Sequence, residues 1–399
     1  MARRSCTPET AAALAAEIRL AVPGGASVAD VVRQIIAAVR SGGDRALLEY
    51  EERFGGGGAL RVSQDELAAG LEAMDPDVRR GLKVAAENVR LVAEAGVDAE
   101  AEAHLPQGHS VRLREVPVSR AAIYVPAGRN PYPSTVVMGA VTARAAGVDE
   151  VVVASGDDPA ILAACALCGV DAVFRMGGAQ AVAALAYGTE SVPATDVIVG
   201  PGSLWVQEAK RQVSGDVGID GFAGPSDLTV ILSAGADPEP LRLDLLAQAE
   251  HGADSLVVAV SDDPALLDAL GEAATEVLAD SMEAALAFSE ALAPEHLQLV
   301  GASAEALAPY VRHAGCLFLG NASGTAFGDY VAGSNHTLPT GGAARFASGL
   351  SPRHFRRRMA EVRVGDAAPA LARAGAPIAR AEGFTGHAAS MEIRENPGP

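Results

Sequence analysis

The run Ala121-Ala-Ile-Tyr-Val-Pro-Ala-Gly-Arg129, then an alanine-rich stretch over 135–146, then Glu150-Val-Val-Val-Ala154, decides the architecture. A short β-branched segment, a glycine-bearing turn, a helical segment and a second β-branched segment form one strand–helix–strand unit. In a parallel sheet such a crossover is right-handed. The alternation continues, with strands expected at 121–124, 150–154, 172–174 and 196–199 and helices near 135–146, 158–168, 179–187 and 203–213. A second series has strands at 228–232, 255–260, 297–300 and 316–319, with helices near 240–250, 263–279 and 303–313. Gly224-Pro225-Ser226 separates the two series. Residues 9 to 100 read as helical, and Asp44, after the Ser41-Gly-Gly break, reads as a cap for the next helix. The expected fold is α/β: two incomplete doubly wound (Rossmann-like) parallel-sheet domains, a helical N-terminal segment and an extended C-terminal tail.

With 399 residues, 49% of them hydrophobic, the chain exceeds one ordinary core. Fifty acidic against 31 basic side chains leave a net charge of −19, a surface that repels nucleic acid and anionic membranes. The cluster Arg353 with Arg356-Arg357-Arg358 does not reverse that sign. No run is apolar and long enough to span a bilayer, and the N-terminus lacks a signal h-region, so a soluble cytoplasmic protein is expected. Cys165-Ala-Leu-Cys168 has redox spacing but sits among Ile, Leu and Ala with no second pair. It reads as small core residues rather than a thiol switch or a zinc knuckle.

Three glycine turns fall where the carboxyl ends of strands would be: Tyr124–Arg129, Gly177-Gly178-Ala179-Gln180 and Gly200-Pro201-Gly202-Ser203. Each can admit a phosphate to a helix N-terminus, which supplies free N–H groups and positive potential. Together they favour a nucleotide over the alternative of three tight turns built with glycine for steric reasons. The glycine run at 55–58 lacks a flanking strand and helix and reads as a surface turn.

Gln248 and His251 lie three apart in a helical stretch and can share one face. With Asp329, in an expected loop, and His387 they make an N/O set suited to a divalent zinc ion, and the lack of cysteine favours a catalytic over a structural site. Glu295-His296 is the acid/base candidate, since an imidazole exchanges protons near neutral pH and a neighbouring carboxylate can activate water. His336, ahead of Pro339, is the competitor and reads as structural.

Several blocks in one order then identify a relationship: Tyr124-Val-Pro with Tyr132-Pro-Ser-Thr; Gly177-Gly-Ala-Gln through Thr189; Val199-Gly-Pro-Gly with Glu208-Ala-Lys; Ala223-Gly-Pro-Ser; Gln248-Ala-Glu-His-Gly252; Pro294-Glu-His-Leu; Gly328-Asp-Tyr through His336; Leu338-Pro-Thr-Gly-Gly; and Glu382-Gly with His387-Ala. From about Val28 to Arg394 the chain resembles the histidinol dehydrogenases. The resemblance implies a zinc-dependent, NAD-linked enzyme that oxidises L-histidinol through the aldehyde to L-histidine, at the end of histidine biosynthesis. It implies Gln248, His251, Asp329 and His387 as zinc ligands, His296 and Glu295 as the acid/base pair, and Tyr124, Gln180 and Ser203 at the cofactor. Ser226, Glu382, the ligand set and the acid/base pair would line the substrate site. It further implies a homodimer whose tail crosses to the partner. The expected division is an N-terminal segment 1–27, a metal and acid/base domain 28–122 with 228–350, a cofactor domain 123–227, and a dimerisation tail 351–399. Ser203, Asp227 and Ala127 depart from the residues usual in the family, which keeps open a related zinc/NAD dehydrogenase of another polar alcohol, such as a sulfonated diol. A zinc hydrolase using Glu295 or Glu250 is the reading from a different class.

Overall fold

A computed structural model describes residues 3–21, 28–126, 130–222, 224–252 and 254–395. Ala127 and the glycine of the Tyr124–Arg129 turn fall outside these residues, as does Ala223. The chain forms two compact units, Met1–Gly96 with Val118–Phe355, and Val97–Pro117 with Arg356–Pro399.

The first unit contains two parallel sheets with one strand order. The five-stranded sheet runs Ala172–Arg175, Glu150–Ser155, Arg120–Tyr124, Val197–Val199, Gly218–Ile219, which in order of appearance is 3-2-1-4-5. The six-stranded sheet runs Arg4–Cys6, Thr275–Ala279, Leu256–Ser261, Asp227–Leu232, His296–Val300, Cys316–Leu319. Apart from its added first strand, this is again 3-2-1-4-5. The central strands of each sheet are buried on both faces, so they are mostly apolar instead of alternating. Ala122 and Tyr124 face one core and Ala121 and Ile123 the other. Leu228 and Val230 oppose Ile231 in the same way.

Helix starts carry a repeated local signal. Asp75, Asp158, Asp237 and Asp263 each precede a proline, and each carboxylate accepts from the backbone N–H two residues on. The aspartate caps a free donor while the proline presets the first helical φ.

The segments expected as helices at 263–279 and 303–313 differ from the expectation. The first is a helix, Pro264–Leu270, ended by Gly271 at φ +64, and then the strand Thr275–Ala279. The second is a single turn, Ala302–Glu305, and a 3₁₀ turn at Ala308–Tyr310 that holds Pro309. The N-terminal segment is not wholly helical, because Arg4–Cys6 pairs with Val277–Ala279. Asp44 does not cap its own helix. Its carboxylate accepts from Thr189 and Ser191, while the helix Ala29–Arg53 bends at Gly43, φ +56. Helices of 28–96, grouped above with 228–350, bury Val32, Ile35, Leu47, Leu67 and Val89 in the two cores of the five-stranded sheet. Cys165 and Cys168 pack in one of those cores, where burial pushes the Cys168 thiol up to about 12. No helix among the described residues is long and apolar enough to cross a membrane.

In the second unit Arg356–Arg363 pairs antiparallel with Ser110–Pro117, which pairs with Ala101–His104. The tail, read as extended with one or two helices, thus also contributes a strand that was not expected. Two helices, Ala368–Ala381 and Thr385–Glu392, follow the strand and pack through Ala376, Ala379 and Ala388.

Candidate active site

At the carboxyl edge of the five-stranded sheet lies a cavity of about 1110 Å³, lined by Tyr124, Gln180 and Ser203 among others. The three expected cofactor residues thus share one space. The turn at Gly177 is already occupied by the chain itself: Gly177 N–H and Gln180 Nε2 donate to Glu51 Oε1, each at 2.9 Å, and Gly178 N–H donates to the Tyr124 hydroxyl at 3.0 Å. A phosphate expected there would displace a carboxylate. The turn at Gly200 is different. Gly200 adopts φ +122, and a Cβ there would stand 2.1 Å from the Tyr124 carbonyl oxygen, so only glycine fits. The turn is clamped from behind by Lys210, which is 1% exposed. Lys210 Nζ donates to Gly200 O at 3.0 Å and pairs with Asp220, whose other oxygen accepts Gly200 N–H at 2.7 Å. Ser203 is the N-cap of helix Leu204–Val213; its carbonyl accepts from Gln207 N–H at 2.9 Å, while its side chain makes no cap bond. The glycine run at 55–58, expected as a plain surface turn, contributes Gly55, Gly56 and Gly57 to the same cavity wall.

The acid/base pair stands on the other sheet, at its amino edge. Asp227 opens one central strand and His296 its neighbour, in register with Leu228. Glu295 and His296 are 5% and 2% exposed. Glu295 Oε2 accepts from the Ser226 hydroxyl at 2.6 Å and from Asp227 N–H at 3.0 Å, and Ser226 Oγ in turn accepts from Gln248 Nε2 at 2.7 Å. Asp227 accepts Glu295 N–H and pairs with Arg19 at 2.7 Å. Burial pushes the Glu295 carboxyl up to about 7, with nearby His296 opposing and Asp227 reinforcing the shift. Burial alone would lower the His296 pKa, but Asp329 and Glu295 outweigh it and hold the imidazole up to about 9.

Three histidines share one orientation. His296 Nδ1 lies 3.1 Å from Asp227 O, His251 Nδ1 3.2 Å from Gln248 O, and His336 Nδ1 2.9 Å from Asp329 O. A carbonyl only accepts, so each Nδ1 carries the proton and each Nε2 is left as the basic nitrogen. His296 Nε2 faces Asp329 Oδ1 at 3.7 Å.

Gln248 and His251 share one turn, and the His251 charge reaches Asp329, but the elements are not those expected. Helix Pro238–Ala249 ends before His251, which sits in the turn beyond it, and Asp329 belongs to a short helix, Thr325–Tyr330, rather than a loop. The charges of His296, His336 and His251 all act on the Asp329 carboxyl, which is held below its usual range although burial alone would raise it. The donor set fits zinc: Gln248 spends its amide nitrogen on Ser226 and keeps its oxygen, His251 keeps Nε2, and Asp329 keeps its carboxylate. Among the described residues no three His, Cys, Asp or Glu gather to hold an ion alone. The set in the first unit counts one amide and only two of those types. His387 and Glu382 belong to the second unit, His387 on helix Thr385–Glu392 with its ring 5.2 Å from Phe384, and Glu382 ending helix Ala368–Ala381. Both are exposed there.

The family model for histidinol dehydrogenase matches residues 23–281 and 268–395. The chain belongs to the histidinol dehydrogenase family. It is 41% identical to the histidinol dehydrogenase of Pseudomonas aeruginosa over 92% of its own length and 91% of that protein's. It is 43% identical to that of Natronomonas pharaonis, over 91% and 92%. The crystal structure of histidinol dehydrogenase from Elizabethkingia anophelis superposes with a TM-score of 0.92 at 29% identity, covering 98% of both chains. Family members are oxidoreductases that act on an alcohol and an aldehyde at the end of histidine biosynthesis, and no relative named here is a dehydrogenase of another alcohol.

Four further residues shape the two sites: Asp227 and His336, each noted in the sequence for another reason, and Arg19 and Glu51, which carried no signal there. Arg19 and Asp227 fix the backbone of Glu295. His336, read from the sequence as structural, lies 2.9 Å by Nδ1 from Asp329 O and 3.3 Å by Nε2 from Thr135 Oγ1. Glu51 enters the cavity at the five-stranded sheet from 126 residues before Gly177. Asp227 could have been found as a carboxylate next to Ser226.

Proposed function

We propose that this chain oxidises L-histidinol to L-histidine in two NAD-dependent steps on a zinc-bound substrate. The observation that carries the reading is His296: a buried imidazole whose Nδ1 proton is committed to a backbone carbonyl and whose Nε2 faces Asp329. Gln248, His251 and Asp329, with His387 from the tail of a second copy, would hold the ion, which supplies a fixed anchor for the substrate's amine and imidazole. With Asp329 engaged by an ion, its hold on the imidazole proton would weaken, and His296 Nε2 would be placed to accept the proton of the substrate alcohol, the hydride going to the nicotinamide of NAD. Glu295 is buried and bonded through Oε2, and its Oε1 carries no bond to any described residue. Its carboxyl, pushed up to about 7, is suited to take a proton from water adding to the aldehyde. Tyr124, Gln180 and Ser203 would receive NAD, and Ser226 with Glu382 the substrate. A cytoplasmic homodimer with exchanged tails, neither nucleic acid nor membrane being a partner, completes the proposal. The net charge of −19 supports the exclusion of nucleic acid and anionic membranes. The experiment is the stoichiometry of NADH formed from limiting L-histidinol. Two NADH per substrate are expected, abolished by a chelator and restored by zinc; no NADH with zinc supplied would overturn the reading.

A further inference from the structure

The cofactor cavity contains a carboxylate that the reaction does not use. Glu51, near the end of helix Ala29–Arg53, is 8% exposed and lines the cavity. Its Oε1 is taken by Gly177 N–H and Gln180 Nε2. No described residue donates to Oε2. Gly56 leaves that oxygen room, since a Cβ at Gly56 would stand 2.7 Å from it. The wall is thus carved around a carboxylate with one oxygen anchored and the other unspent.

A dinucleotide offers such a group two things. Its ribose hydroxyls are donors and match a carboxylate oxygen. Its phosphates are anions and are repelled by one. The N–H groups of Leu204 and Trp205, at the start of the helix after Ser203, have no side-chain or loop acceptor among the described residues, and this end of the cavity suits the diphosphate. Resting on the NAD reading above, we infer that Glu51 binds a ribose hydroxyl of the cofactor through Oε2 and excludes NADP by repelling its 2′-phosphate. The simpler role, a cap on helix Gly178–Tyr187, accounts for Oε1 and leaves Oε2 and Gly56 without a reason. Arg53 and Arg175 stand on the same wall. Arg175 is paired with Glu66 at 2.5 Å, so the Glu51 charge is not cancelled by it.

The test uses the full-length zinc-loaded enzyme; it compares kcat/KM for NAD and NADP with L-histidinol and, without substrate, the Kd of each dinucleotide by isothermal titration calorimetry, where Glu51→Gln should narrow the NAD/NADP difference in Kd as it does in kcat/KM. Wild type should prefer NAD. Glu51→Gln keeps shape and loses charge. A bond to a charged acceptor corresponds to roughly 10- to 100-fold, so kcat/KM for NAD should fall by that factor while NADP gains, and the preference collapses. Glu51→Asp keeps the charge on a shorter arm: KM for NAD should rise while NADP stays refused. A cap alone would move both cofactors by one factor, and that result overturns the inference, as does a wild type indifferent to the two or a Glu51→Asp that accepts NADP. If Glu51→Gln does not fold, the Glu51→Asp result decides. A wild type that reduces neither cofactor removes the functional reading instead.

Discussion

The two sheets of the first unit share a strand order and place their sites at opposite ends. In the five-stranded sheet the cavity opens at the carboxyl ends of the strands, beside the point where Arg120–Tyr124 and Val197–Val199 diverge. That is the usual ligand position in an open α/β sheet. In the six-stranded sheet the corresponding point is sealed. Gly301 packs where a Cβ would stand 2.4 Å from Ser233 O, and Ser233 N–H donates to Val300 O at 2.9 Å. Glu295 and His296 sit instead at the amino ends, beside Asp227. The walls differ as well. Backbone turns, held from behind by a buried ion pair, shape the first site, and titratable side chains make up the second. Fold alone therefore does not locate a site. The side chains that the edge can carry do.

Substitutions should separate the two regions. His296→Ala should lower kcat by about 10²- to 10⁴-fold, the usual worth of a general base, with circular dichroism and melting temperature near wild type. Glu295→Gln should leave the first oxidation and slow the second, so that NADH per histidinol falls from two toward one. In the five-stranded sheet the large effect falls on stability. Lys210→Met leaves Asp220 buried and unpaired and should cost about 3–5 kcal/mol in denaturant unfolding. A melting temperature unchanged by Lys210→Met would break the contrast. The smallest effect should be common to both: Asp158→Ala and Asp237→Ala each remove a cap that accepts a backbone N–H and should each cost about 1 kcal/mol, with little change in kcat.

The strand–helix alternation from 121 to 319 was readable because a strand buried on both faces has no polar positions to confuse it. The Thr275–Ala279 strand was not, since Thr-Glu-Val-Leu-Ala continues an Ala- and Leu-rich helix and only Gly271 marks the break. Strand Arg356–Arg363 escaped notice for another reason. Eight residues, four of them arginine, pair with a strand some 246 positions earlier, and no local pattern announces that. Among site residues, Gln248, Glu295, His296 and Asp329 were legible from chemistry and motif. Their orientation was not, because it depends on carbonyls of Asp227 and on Ser226, far away in sequence. The Gly177 turn misled for the same reason: glycines show that a ligand can approach, while the carboxylate already there comes from Glu51.

The strand Arg4–Cys6 has a consequence for synthesis. It forms the edge of a sheet whose other members all follow residue 226, and Arg3 meets Glu276 across 273 positions. At roughly 5–20 residues per second, the opening segment leaves the ribosome tens of seconds before its partners exist. Cys6, Leu14 and Ile18 stay uncovered in that interval, and Arg19 waits for Asp227. Nascent chains should therefore engage holding chaperones through residues 3–20, and the Glu295 turn can lock only after helix Ala11–Leu20 returns to it.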